Sequence, residues 1–207
     1  MARPRLHSLD DLLDVAEQLV TSSDPAGLTL RALATSAGAS NGTIYHAFRS
    51  KEDLLAKLWL RAWSRLGELM NEAPAAHEGG IEAVVAVSLV PAEFVRRFPT
   101  SAQLFFTQRR DQLFSPELPA DVAEELNATQ QCFVDLLISL ARGVWDRGDR
   151  EAVEAIAVCV VDVPGGILRR ALLEGRSPDE ATGRRIEAAV RAILALDPPP
   201  PQERGSR

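Results

Sequence analysis

From residue 40 to residue 51 the chain reads Ser-Asn-Gly-Thr-Ile-Tyr-His-Ala-Phe-Arg-Ser-Lys. Four small polar positions come first: Ser40, Asn41, Gly42 and Thr43. Ile44 and Phe48 follow at the i, i+4 spacing of one helix face. Tyr45, His46 and Lys51 are left for the outer side. Tyr45 is the single tyrosine of the chain, and Lys51 is one of two lysines. The chemistry on offer is hydrogen bonding and charge pairing, not bond making. Small side chains at a helix start allow the backbone to approach base edges in a major groove. A phenol, an imidazole and an ammonium group reach phosphates. Plainer roles stand beside these. Ser40 is an N-cap with or without DNA; His46 alone reads as a surface residue, and Tyr45 alone as a half-buried aromatic.

Nothing else in the chain converges on chemistry. His7, His46 and His77 are scattered over an arm, this helix and a loop. Cys132 and Cys159 are the two cysteines, without zinc-ligand spacing or a disulfide framework, and fill core as small hydrophobes. There is no Gly-x-Ser-x-Gly elbow before a strand and no phosphate loop. An enzyme needs a convergent set of groups, so a small all-α enzyme is the weakest function class here. No metal or other cofactor is expected.

The whole-chain charge points the other way. Over 207 residues, 23 Lys+Arg stand against 29 Asp+Glu, a net charge of −6. That argues at first sight against a nucleic-acid binder. The distribution changes the reading. Residues 25–51 contain no acid and carry Arg31, Arg49 and Lys51, a local charge of +3. The acidic excess lies beyond residue 51, with 18 basic and 24 acidic residues. The hydrophobic share of 46% suits a folded globular chain of one or two domains. No apolar run approaches the ~18 residues of a membrane span, and the first twelve residues lack a signal-peptide core. A cytoplasmic protein without a membrane partner is expected.

The elements that must hold residues 40–51 are helices. Periodicity and caps predict helices over 9–21, 30–37, 41–48, 51–71, 81–97, 100–113, 120–146, 150–173 and 178–196. Ser8 with Asp11, and Ser50 with Asp53, read as N-cap pairs. Thr29 caps the second helix and Gly38 ends it. Pro25-Ala26-Gly27 stops the first. Pro91 predicts a kink or break, Thr100 with Gln103 a helix start, and Ser115 to Pro119 a turn. Ser177, Pro178 and Glu180 read as N-cap, N1 and N3 of the last helix. Pro198 to Pro201 ends regular structure, with a disordered tail over 198–207. The boundaries expected are 1–50 for a first domain, 51–72 for a connecting helix and 73–197 for a second domain. Two short helices joined by a glycine turn, with Ala34 at their close approach, make a helix-turn-helix.

The runs Leu28-Thr29-Leu30-Arg31-Ala32-Leu33-Ala34 and Ala37-Gly38-Ala39-Ser40-Asn41-Gly42-Thr43-Ile44-Tyr45-His46-Ala47-Phe48-Arg49-Ser50-Lys51-Glu52-Asp53-Leu54-Leu55 resemble the DNA-binding domain of the TetR family of bacterial transcriptional regulators. The likeness covers about residues 8–60. Ala47 stands where the family often has an aromatic residue or His, and Arg49 where Pro or Lys is common. The resemblance implies an all-α fold: a three-helix DNA-binding domain, then a helical ligand-binding and dimerisation domain, about nine helices in all.

It further implies that Ser40, Asn41, Gly42 and Thr43 meet bases or the adjacent backbone. Tyr45, His46, Thr29, Arg31 and Lys51 contact phosphates. Arg3 and Arg5 form an arm that either reads a neighbouring groove or frays. Partners would be a palindromic double-stranded operator, a second copy packed through the last two helices, and a small, largely apolar effector. Phe94, Phe98, Leu104, Phe105, Phe133, Leu136 and Leu137 are candidates to line its pocket, or else to pack the core. Asp162, in an apolar run beside Pro164, orients a ligand group, pairs across the dimer, or faces solvent. A repressor released from DNA by its effector is the implied function. An activator or a DNA-organising protein are the alternatives that keep the same domain.

Overall fold

The computed structural model describes residues 8–22, 28–73, 79–107 and 119–201. Within them every regular element is a helix. They are α1 (Leu9–Ser22), α2 (Leu30–Ala37), α3 (Asn41–Ala47), α4 (Lys51–Glu72), α5 (Gly80–Arg97), α6 (Pro99–Thr107), α7 (Ala120–Trp145), α8 (Arg150–Ala157), a π-helical turn (Val158–Asp162), α9 (Val163–Leu173) and α10 (Glu180–Leu194). No helix is long and apolar enough to cross a membrane among the described residues. Arg3, Arg5, His7, Pro25-Ala26-Gly27, His77, the end of the 100–113 helix, most of the turn before Pro119 and residues 202–207 lie outside the described residues.

The chain divides into two compact units that do not follow chain order. One comprises residues 1–64 and 98–126, the other 65–97 and 127–207. Helices α4 and α7 each contribute residues to both.

In the first unit, α1 opens on a reciprocal cap. The Asp11 N–H donates to Ser8 Oγ at 3.1 Å, and the Ser8 N–H donates to Asp11 Oδ2 at 2.9 Å. Leu12, Ala16, Leu33, Ile44, Phe48, Leu54 and Leu58 form a core with almost no exposed area. Leu104, Val122 and Leu126 complete it from α6 and α7. Trp59, Trp63 and Phe105 stack beside it, with ring centroids 5.3–5.5 Å apart.

In the second unit, α5 is buried along much of its length, Pro91 included, and packs against the π turn, α9 and α10. The break expected at Pro91 does not occur. One lost backbone donor is offset by burial of ten residues of this helix. Gly143 of α7 meets the Gly80 amide. A Cβ there would lie 3.2 Å from Gly80 N, a tight contact that glycine avoids.

Three local expectations are corrected. Helix α6 begins at Pro99, one residue before Thr100; the Ala102 N–H bonds the Phe98 carbonyl, and proline takes the first helical position because it needs no donor there. Asp179, not Ser177, caps the last helix, accepting from the Thr182 N–H at 2.7 Å; Pro178 is buried ahead of it. The predicted 150–173 helix is interrupted by the π turn, which periodicity does not report. The disorder expected over 198–207 does not describe Pro198 and Pro199, which are held in place. Arg147 donates to the carbonyls of Pro198 and Pro199 at 3.1 and 2.8 Å, and Pro198 is buried.

Candidate nucleic-acid interface

Helix α2 buries Leu30, Leu33 and Ala34 and is capped by Thr29, whose Oγ1 accepts from the Ala32 N–H at 3.0 Å. Gly38 ends it at φ 62°, ψ 27°, the left-handed region that costs other residues strain. The Ala39 N–H then reaches back to the Ala34 carbonyl at 3.0 Å, closing the turn. Helix α3 starts at once. Ser40 caps it, accepting from the Thr43 N–H at 3.1 Å, and the two hydroxyls lie 2.9 Å apart.

Only Ile44 of α3 itself is buried, with Phe48 behind it at the C-cap; neither exposes any area. Asn41, Gly42, Thr43, Tyr45 and His46 are all exposed, Tyr45 by 55%. Five of the residues nominated from sequence thus share the exposed side of one short helix. Arg31 is exposed on α2, and half-buried Lys51 opens α4. The Tyr45 phenol stands in water on a helix whose one buried residue is Ile44.

The frame behind α3 was less legible in sequence. Asp53 is fully buried. Its N–H donates to Ser50 Oγ at 3.1 Å, the expected N-cap, and its Oδ2 accepts from the Arg49 N–H at 2.8 Å. Lys57 Nζ donates to the same carboxylate at 3.1 Å and to the Ala47 carbonyl at 3.0 Å. A cation thus sits at the C-terminal end of α3, where the helix dipole favours it, and lies 5.5 Å from the Phe48 ring centre. The i, i+4 spacing of Asp53 and Lys57 carried that signal.

Arg49 had no such signal. Its guanidinium holds Asp121 of α7 through two parallel bonds of 2.8 Å. The pairing lowers the Asp121 carboxyl below the usual carboxylate range and raises the Arg49 guanidinium. The acid-free window of residues 25–51 is therefore not acid-free in space.

A second long-range network ties α1, α4 and α6 together. Buried Glu17 Oε1 accepts from Ser101 Oγ at 2.8 Å and from Arg61 Nε at 3.2 Å. Arg61 Nη1 also donates to Asp14 Oδ1 at 2.8 Å.

The residues nominated for an effector fall in both units. Phe98, Leu104 and Phe105 belong to the first unit; Phe94, Phe133, Leu136, Leu137 and Asp162 belong to the second. Phe94, Leu104 and Leu137 are buried in packing. Phe133 and Leu136 are half-buried, and Asp162 is exposed at the end of the π turn. The second unit has a cleft of about 530 Å³ that none of them lines. Its floor is Leu69, Val85, Ala86, Leu89 and Val90, and its rim holds the ion pairs Glu82–Arg191 and Glu72–Arg97.

Two helices, a left-handed glycine between them and an exposed polar face on the second define a helix-turn-helix protein. Residues 12–58 match the model of the bacterial regulatory proteins of the tetR family. Over those residues the chain is similar to that family. An uncharacterised helix-turn-helix transcriptional regulator of Mycobacterium tuberculosis is 35% identical over 101 residues, 48% of this chain and 50% of that protein. The regulator AcrR of Shigella flexneri is 33% identical over 79 residues, 38% of this chain and 37% of its own. The chain spans about half the length, or less, of these curated relatives. Among solved structures, the fatty acid degradation regulator FadR of Bacillus halodurans superposes with a TM-score of 0.66 at 16% identity, over 95% of both chains. FadR of Bacillus subtilis, in complex with stearoyl-CoA, superposes with a TM-score of 0.64 at 16% identity, over 91% of this chain and 97% of its own. At these identities the likeness is one of fold.

Proposed function

We propose that the protein is a transcriptional regulator that binds a palindromic operator as a homodimer and leaves it when a small effector binds. The exposed face of α3 carries this reading: Asn41, Gly42, Thr43, Tyr45 and His46 stand in solvent over the buried anchors Ile44 and Phe48. Ser40, Asn41, Gly42 and Thr43 read bases or their backbone, while Thr29, Arg31, Tyr45, His46 and Lys51 hold phosphates.

A dimer supplies the second reading head that a two-fold operator needs. Exposed Val158, Val161 and Leu173 on the helical run through α8, the π turn and α9 support packing against a second copy there and through α10. The effector is the least specified part. The B. subtilis FadR structure holds an acyl-CoA, and the cleft of the second unit, apolar below and ion-paired at its rim, suits an amphipathic molecule. Such a molecule releases DNA only if it binds the DNA-free form more tightly. Helix α4 is the natural carrier of that shift, since it starts beside the reading head and ends at the cleft.

The test is binding of labelled DNA from the region around the gene over a salt series. The wild type should bind one site tightly, and Lys51→Ala should weaken all sequences alike and lower the salt slope by about one unit. An unchanged slope removes Lys51 from the phosphate set; no duplex binding at any salt sinks the reading.

A further inference from the structure

We propose that Asp121 occupies on Arg49 the place of a DNA phosphate, so that the duplex and the first turn of α7 compete for one guanidinium. The proposal rests on the DNA-binding reading above and adds a residue to it.

Arg49 follows Phe48, the C-cap of α3, and precedes Ser50 and Lys51 at the start of α4. Its backbone is pinned by the 2.8 Å bond from its N–H to buried Asp53. Its position beside the contact face is therefore fixed, and only the side chain is at liberty to choose a partner. That partner is Asp121, held fork to fork: Nη1 to Oδ1 and Nη2 to Oδ2, both at 2.8 Å. Guanidinium presents the same two parallel donors to a carboxylate and to a phosphate.

Both side chains are 62% exposed. A pair that open to water contributes little and is screened by salt, so a backbone as densely charged as duplex DNA displaces it. The displaced carboxylate is not stranded. Asp121 lies in the first turn of α7, where the amides of Asp121 and Val122 also stabilise its charge. The exchange leaves neither ion buried and unpaired. It also makes the coupling reciprocal: DNA frees the first turn of α7, and whatever displaces that turn changes DNA affinity.

The experiment measures anisotropy of a labelled random-sequence duplex with full-length wild type, Asp121→Asn, Arg49→Gln and the double variant, over a series of KCl concentrations. Asp121→Ser, which keeps a polar oxygen in the first turn of α7, repeats the cycle should Asp121→Asn fail to fold. Asp121→Asn should bind severalfold more tightly than wild type. Arg49→Gln should bind more weakly, with a salt slope lower by about one unit. The gain from Asp121→Asn should vanish in the double variant. An unchanged slope for Arg49→Gln overturns the proposal, as does an equal gain in the double variant, which would reflect the loss of one negative charge and not release of Arg49. Those outcomes leave the DNA-binding reading standing. Failure of the wild type to bind the duplex overturns both.

Discussion

Gly38 shows what a single residue decides. Its φ of 62° sets the angle between α2 and α3, yet a Cβ built on it meets nothing within 4 Å. The requirement is conformational, not steric. Gly38→Ala should cost about 1–2 kcal/mol, read from urea unfolding, and Gly38→Asn should cost less because asparagine tolerates this region. Thr43 is exposed on the face of α3, so Thr43→Ala should leave stability nearly unchanged and alter the sequence recovered in selection from a randomised duplex. The expectation that both cysteines fill core holds for Cys159 and fails for Cys132. Cys132 is exposed, while burial pushes the Cys159 thiol up to about 11. A thiol reagent at neutral pH should therefore modify one cysteine in the native protein and both after unfolding. Rapid labelling of both in the native state would contradict the packing of the π turn.

At the scale of elements, short-range signals act through helix ends. Thr29 satisfies one free N–H of α2, and Thr29→Ala should cost about 1 kcal/mol of unfolding free energy. Other starts are acidic. Arg147 and the Ala152 amide hold the Asp149 carboxyl well below the usual range, and Thr182 does the same for Asp179. A carboxyl lowered in the folded state stabilises the fold above its unfolded pKa, and that contribution is lost as pH falls through the folded value. The melting temperature should therefore hold from neutral pH down to about 4 and fall below it. Asp179 is exposed and Asp149 half-buried, so the part of the fall due to Asp179 should shrink most at high salt. Flat melting temperatures through this acid range would exclude these caps as contributors.

For the whole molecule, the average charge of −6 describes neither surface. The basic face of the reading head is modest, and Asp121 trims it further by engaging Arg49. In the proposed dimer two heads would make up the deficit. Val161 is 42% exposed in the π turn, an apolar residue without cover in one chain. Val161→Glu should shift sedimentation from dimer to monomer and weaken operator binding, with little loss of protomer stability. A dimer that persists in that variant would move the proposed interface elsewhere.

The helix-turn-helix was legible in sequence because its determinants are local. Thr29, Gly38, Ser40 and the Ile44–Phe48 pair act within one or two turns, through caps, a backbone conformation and a buried face. In the second unit, local rules misplaced the cap of α10 and missed the π turn, since several competing caps and registers are equally good until packing selects one. Residues that meet across the fold were not legible at all. Glu17 finds Ser101 at a separation of 84 residues, and Arg49 finds Asp121 at 72. The nominated effector residues were distributed between two units for the same reason: periodicity marks which side of a helix is apolar, not which helix it meets. The sequence by itself determined a chain of helices with one reading head. Tertiary structure alone decided which charges stand beside that head, because a Coulombic partner is chosen by distance in space and not by distance along the chain.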